Sequence, residues 1–243
     1  VSPGELAFVG VAVLFAAGIQ TMTGFGFSLF AVPIMSMVIP TEAAVVIAAS
    51  LSTMTSGGQA WTERHHRDRP TVVRIVLAAL LGMPLGLLVL TVMTSQQLKI
   101  GLAVVIVVFL IINLRGVRLD HASTPIDLGA GFVAGVLSTS LSTNGPPLAM
   151  ALHARHLPAE VFRGTISSIL VVLGVISVVL FAATGHYTVE IAWALVVVIP
   201  AMVVGFLIGH RLRVRIDHRV FRRLVTLLLA LTAVVTLISA ALG

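Results

Sequence analysis

The feature that most limits this chain is a run of apolar stretches separated by loops of only a few residues. The long ones cover 43–61, 72–93, 98–114, 164–184, 189–208 and 224–242. Each is close to the roughly 20 residues that a helix needs to cross a bilayer. Only 10% of the residues are charged, and mean hydropathy is +1.11. A soluble domain carries roughly 25% charged residues. This chain cannot cover a water-facing surface, so lipid is its solvent and the expected class is all-α integral membrane. A membrane β-barrel shows short alternating segments instead, and the sequence has none. Cysteine is absent, which excludes disulfides, thiolate metal sites and thiol catalysis. The net charge of +6 does not indicate nucleic acid. Its arginines sit in short loops beside apolar spans, and no separate basic domain exists to carry phosphate contacts. The first apolar stretch begins at Leu6 without a basic leader and runs into further membrane sequence, unlike a cleaved signal.

Four other apolar pieces are short: 6–18, 25–39, 126–141 and 146–157. At 1.5 Å per residue the first two cover about 20 Å, against a hydrocarbon core of about 30 Å. The order is short, break, short, long, long, long, and it then repeats. Pro40-Thr41-Glu42-Ala43 falls opposite Pro158-Ala159-Glu160-Val161, Ala17-Gly18 opposite Ala134-Gly135, and Gly86 opposite Gly205. The reading is two repeats, 1–120 and 121–243, forming one transmembrane domain.

Charge distinguishes the halves. Arg64, Arg67, Arg69 and Arg74 mark a loop in the first half whose equivalent, Gly185-His186-Tyr187, has no cation. Conversely, Thr94-Ser95-Gln96-Gln97 is uncharged, while Arg211, Arg213, Arg215, Arg219, Arg222 and Arg223 crowd its counterpart. Opposite bias in equivalent loops implies inverted topology. Each half is then a broken or re-entrant helix pair plus three long transmembrane helices, giving about eight to ten membrane segments. Five full crossings per half satisfy the charges equally. The arginine loops are expected in the cytoplasm and both termini outside.

Non-helical backbone at membrane depth must be buried in protein or line a wet cavity. Paired breaks in inverted halves therefore point to a binding site. The first break is 20–28, with Gln20, Thr23, Gly24 and Gly26; the second is 138–147, with Ser138, Thr139, Ser142, Thr143, Asn144 and Gly145. Both hold hydroxyls, amides and glycine and no acid. Helices restarting after Gly26 and Gly145 would offer free N–H groups and a positive dipole end to an anion. A cation site would carry Asp or Glu, which the expected bundle core lacks. The alternative is that these are tight turns and small-residue helix contacts.

At these residues the chain resembles the sulfite exporter TauE/SafE family of membrane permeases. The carriers are Gly18, Gly24-Phe25-Gly26 and Pro33; Gly135 and Asn144-Gly145-Pro146-Pro147-Leu148; Pro40-Thr41-Glu42-Ala43, Pro158-Ala159-Glu160 and Phe162-Arg163-Gly164-Thr165; and Pro200, Gly205, Gly209 and Arg211. The resemblance implies a bacterial inner-membrane transporter for small sulfur-containing anions such as sulfite, sulfoacetate or other organosulfonates. Here Gly-Phe-Gly stands where many relatives carry a longer glycine run.

Among single residues, Arg163 suits an oxyanion in geometry, and it equally suits an interfacial arginine. Ser50, Thr53 and Ser168 are candidate cavity-lining hydroxyls on the helices that follow the broken pairs. His153 and His156 read as interfacial polar residues, and His65-His66 with Glu63 and Asp68 as a solvated loop. Pro84 and Pro200 are expected to kink long spans. No paired carboxylates, His-Glu metal motif or Gly-x-Ser-x-Gly element supports an enzyme, and no cofactor or metal is expected. The partners are then a small anionic substrate and the lipid bilayer. An anion channel, or a permease for another small carboxylate or oxyanion, is the competing reading.

Overall fold

The computed structural model describes residues 2–115 and 123–212. Among these residues the chain forms nine helices and no strand. The helices are α1 (Pro3–Thr23), α2 (Phe27–Met35), α3 (Thr41–Thr62), α4 (Arg69–Val92), α5 (Ser95–Leu114), α6 (Thr124–Ser140), α7 (Gly145–His153), α8 (Ala159–Ala183) and α9 (Val189–Leu212). The expected span over 224–242 and the arginines from Arg213 onward lie outside the described residues.

Local chemistry sets several boundaries. The Ser2 hydroxyl accepts from the Glu5 N–H at 3.3 Å, and the Glu5 carboxylate accepts from the Ser2 N–H at 2.6 Å. This reciprocal cap starts α1. Asp68 and Ser123 cap α4 and α6 by accepting from the amides of Thr71 and Ile126. Gly24 ends α1 at φ 92°, and Gly26 precedes α2 at φ 99°. Both values are left-handed and favour glycine.

Five of the nine, α1, α4, α5, α8 and α9, are long and apolar enough to cross a membrane. Their outer faces are oily. On α4, Leu77, Leu81, Leu85, Leu88 and Val92 are exposed, while Ile75, Ala79, Met83 and Leu90 are buried. In water such a flank would be costly; against acyl chains it is matched. The inner faces are narrow. On α9, Gly205 and Gly209 lie against the backbone of Leu14 and Gly18 on α1. On α4, Gly82 and Gly86 lie against that of Phe132 and Val136 on α6. Glycine at these four positions lets the paired helices approach backbone to backbone.

Helices α3 and α8 run antiparallel through the centre. Glu42 near the start of α3 lies 3.6 Å from His186 beyond α8. Thr53 meets Gly174 in the middle. Glu63 beyond α3 lies 3.3 Å from Arg163 near the start of α8. These contacts define two ends of the bundle. Leu6, Pro40, Glu42, His186 and Glu190 gather at one, around a cavity of about 250 Å³. Glu63, Asp68, Arg74, Asp127, Arg155 and Arg163 gather at the other. The start of α1 and the segment after α2 share the first end. The start of α6 and the segment after α7 share the second, since Arg155 reaches Asp127 at 2.5 Å. Each broken pair is therefore a helical hairpin, and the two hairpins enter the bundle from opposite ends; α1, expected from 6–18 as a short piece, is a 21-residue helix long enough to cross a membrane.

Two expectations are revised. The breaks are shorter than the sequence suggested: helix continues through Gly18 and Gln20 to Thr23, and through Ser138 to Ser140, leaving 24–26 and 141–144. Polar side chains persist in helix here because neighbouring helices satisfy them. The interior is also not free of acids. Asp127 is 1% exposed and Glu63 is 7% exposed, and each is held by arginine at a helix end.

Candidate functional site

The two hairpin tips meet. The Ser28 hydroxyl in the first turn of α2 lies 2.9 Å from that of Ser142 in the second break. Both side chains are buried. Ser142 adopts φ 58°, an uncommon conformation for a non-glycine residue. The ring of Phe25 covers the start of α7: a Cβ on Gly145 would stand 2.8 Å from its Cδ2.

The donors at this junction are neutral. The first three amides of a helix have no intrahelical partner, and Phe27, Ser28 and Leu29 find no acceptor among the described residues. On α7 the count is lower, because Pro146 and Pro147 follow Gly145 and carry no N–H. Side chains supplement it. The Asn144 amide donates to Ser138 Oγ at 3.0 Å, and Ser138 Oγ lies 3.0 Å from Ser177 Oγ. Thr143 is 1% exposed and its hydroxyl has no partner among the described residues. A buried hydroxyl without a partner is costly.

A second polar layer supports the end of α1. The Gln20 side-chain amide donates to Ser56 Oγ at 2.6 Å, and its carbonyl accepts from Ser52 at 3.3 Å. Gln59 Nε2 donates to the carbonyls of Gln20 and Thr21 at 3.0 and 2.9 Å. Ser167 on α8 in turn donates to Gln59 Oε1. Two carbonyls of the last turn of α1, those of Gln20 and Thr21, thus find a partner inside the bundle.

The other expected residues divide by location. Thr23 folds back on its own turn, its hydroxyl donating to the carbonyl of Ile19 and accepting from the amide of Phe25. Gly24 abuts the aliphatic stem of Arg163, whose Nε donates to Glu63. The arginine therefore stands beside the first break with its charge already paired. Thr139 donates to the Met83 carbonyl at 2.6 Å and ties α6 to α4. Ser50, Thr53 and Ser168 make no hydrogen bond to the tip residues among the described residues. Ser50 lies 2.6 Å from the Tyr187 hydroxyl, Thr53 packs on Gly174, and Ser168 donates to the Gly164 carbonyl. All three also follow the habit of helical hydroxyls, bonding the carbonyl four residues back. His153 bonds the Ala149 carbonyl, and His66 lies near Glu63 and Glu160.

Sequence reasoning missed Gln59 and Ser177, took in Ser28 only as the last residue of the first break, and left Ser52 and Ser56 among hydroxyls bonding their own helix. Gln59 carried a usable signal, since a glutamine within an apolar span needs partners. The serines carried none that separates them from ordinary helical hydroxyls.

The family model described as Sulfite exporter TauE/SafE matches residues 9–236. The chain belongs to the TauE/SafE family. It is accordingly a multi-pass membrane protein of a family that transports sulfur anions and does not carry out enzymatic conversion. The match takes in both TauE/SafE hairpins and every residue of their junction. No curated protein and no solved structure matches the chain.

Proposed function

We propose that this TauE/SafE member is a secondary transporter that carries a small sulfur-containing anion, such as sulfite, sulfoacetate or another organosulfonate, bound where the two hairpin tips meet. The supporting observation is the 2.9 Å contact between Ser28 and Ser142. It brings the unpartnered amides of α2 and the unpartnered Thr143 hydroxyl to one place at the inner ends of two opposed hairpins. Both helix N-termini, those of α2 and α7, bring positive dipole ends there. Binding uses neutral donors, so the anion keeps its charge and is released without breaking a strong ion pair. The substrate-contacting set is Ser28, Ser142, Thr143, Asn144 and Gly145, with Gly26 giving close backbone approach. Gln20 and Ser138 hold that set in position.

In this reading the halves are inverted repeats whose hairpins exchange access between the two ends. The arginine end faces the cytoplasm of a bacterial inner membrane, following the positive-inside rule. A closed contact between the tips favours a carrier over an open pore.

The test is thermal stability of the purified protein with sulfite, sulfoacetate and isethionate against chloride, followed by flux in proteoliposomes. The reading expects a rise in unfolding temperature with sulfur anions and saturable uptake. Absence of both across the panel removes it. Non-saturating flux with single-channel currents would replace the carrier with a channel.

A further inference from the structure

The Gly24-Phe25-Gly26 segment places one bulky side chain at the point where the hairpins touch. Both flanking glycines have positive φ, at 92° and 99°, so the backbone turns at both, and between them Phe25 meets the start of α7. Thr23 fixes the backbone of Phe25 through the hydrogen bond from its amide. The side chain packs against the first residue of α7. A Cβ on Gly145 would stand 2.8, 3.2 and 3.4 Å from Cδ2, Cβ and Cγ of Phe25. Only glycine at 145 admits the ring in this place. Phe25 also packs against the apolar cluster of Leu148 and Ile166, yet it remains partly exposed, as do Gly26 and Asn144 beside it.

We infer that Phe25 sets the size limit of the anion site. This rests on the function proposed above and adds a determinant to it. The tip donors recognise an oxyanion head, and every sulfite or sulfonate presents similar oxygens. Discrimination among them must come from what surrounds the group attached to sulfur. The Phe25 ring is a large apolar group at the junction, and it stands against Gly145, where a bulky substituent on a bound anion would meet it. Small heads fit beside the ring, and aryl or long alkyl sulfonates collide with it. A hydrophobic surface excludes by volume and adds no charge requirement.

The experiment compares sulfite, methanesulfonate and benzenesulfonate in proteoliposome uptake and in thermal stabilisation. The variants are Phe25→Ala, Phe25→Leu and Phe25→Trp. The wild type is expected to take sulfite and methanesulfonate and to exclude benzenesulfonate. Phe25→Ala is expected to raise benzenesulfonate uptake relative to sulfite at least tenfold, with Phe25→Leu between and Phe25→Trp losing methanesulfonate. Should Phe25→Ala not purify as a monodisperse species, the Leu and Trp variants bear the comparison. If the wild type responds to sulfite and the relative uptake of the three anions is unchanged in the variants, Phe25 does not set the limit and the site itself stands. If the wild type responds to none of them, the site assignment fails and this inference with it.

Discussion

Ser28 and Ser142 are 114 positions apart in the chain, and their hydroxyl oxygens are 2.9 Å apart in the fold. That contact joins the tips of two hairpins that enter the bundle from opposite ends. It converts two polar interruptions, each unremarkable alone, into one cluster of donors.

Replacing Ser142 separates its hydroxyl from its backbone. Ser142→Ala keeps a side chain at φ 58° and removes the donor, whereas Ser142→Gly also relieves the backbone. A hydrogen bond to a charged group is worth about 1.5–3 kcal/mol. Both variants should therefore weaken sulfite affinity by about ten- to a hundredfold, and Ser142→Gly should unfold at the higher temperature of the two. Titration calorimetry and thermal unfolding read the two effects. Unchanged affinity in both would remove Ser142 from the site.

Close helix packing gives a prediction independent of transport. A Cβ at Gly86 would collide with the Val136 carbonyl and one at Gly205 with the Leu14 carbonyl. Gly57 on α3 meets nothing within 4 Å. Gly86→Ala and Gly205→Ala should each cost about 1–3 kcal/mol through forced backbone shifts. Gly57→Ala should be neutral or gain up to about 1 kcal/mol from helix propensity. Thermal unfolding in detergent checks the ordering, and equal behaviour of all three would contradict the packing.

At the arginine end, Asp127 is 1% exposed, 2.5 Å from Arg155 and 3.2 Å from Arg74. Asp127→Asn would leave Arg155, itself mostly buried, without its nearest counter-charge. Breaking a buried pair costs about 3–5 kcal/mol, and the more exposed Arg74 adds little. Combining Asp127→Asn with Arg155→Gln should recover part of that loss. A double-mutant cycle showing strictly additive losses would mean that the pair is not coupled.

Tyr187 is the chain's only tyrosine and sits in the loop before α9, its hydroxyl 2.6 Å from Ser50 Oγ. Burial pushes its phenol above the ordinary value, and the Ser50 hydrogen bond opposes this in part. The sign follows from linkage: the folded state holds the proton more tightly than the unfolded chain. Stability from this group is complete below the ordinary tyrosine range near pH 10 and is lost as pH rises through the folded value. Ultraviolet titration, which sees this residue alone among phenols, should give an upward-shifted midpoint. Tyr187→Phe should lose less stability above about pH 10 than the wild type. An unshifted midpoint would mean the phenol is solvated.

How much was legible depends on the range of the interactions concerned. The helical membrane class followed from composition, since apolar runs with few charges have no stable alternative. The glycines at 24 and 26 marked a real break because positive φ is a local property. Break lengths were overestimated. Gln20 and Ser138 look like loop residues in isolation, and they remain helical because Ser56 and Ser177 are there to receive them. Likewise Asp127 becomes buried because Arg155, from the far end of its own hairpin, reaches it.

The sequence by itself determined the solvent, the helical class, the glycine turn between α1 and α2, and the family to which the chain belongs. These depend on transfer energies and backbone preferences that each segment carries wherever it lies. Only the tertiary structure decided which interruptions face each other, that Ser28 rather than Ser50, Thr53 or Ser168 completes the junction, and that Phe25 covers Gly145. Those outcomes depend on contacts between residues far apart in the chain, whose register is set by helix packing and is not encoded in any one segment.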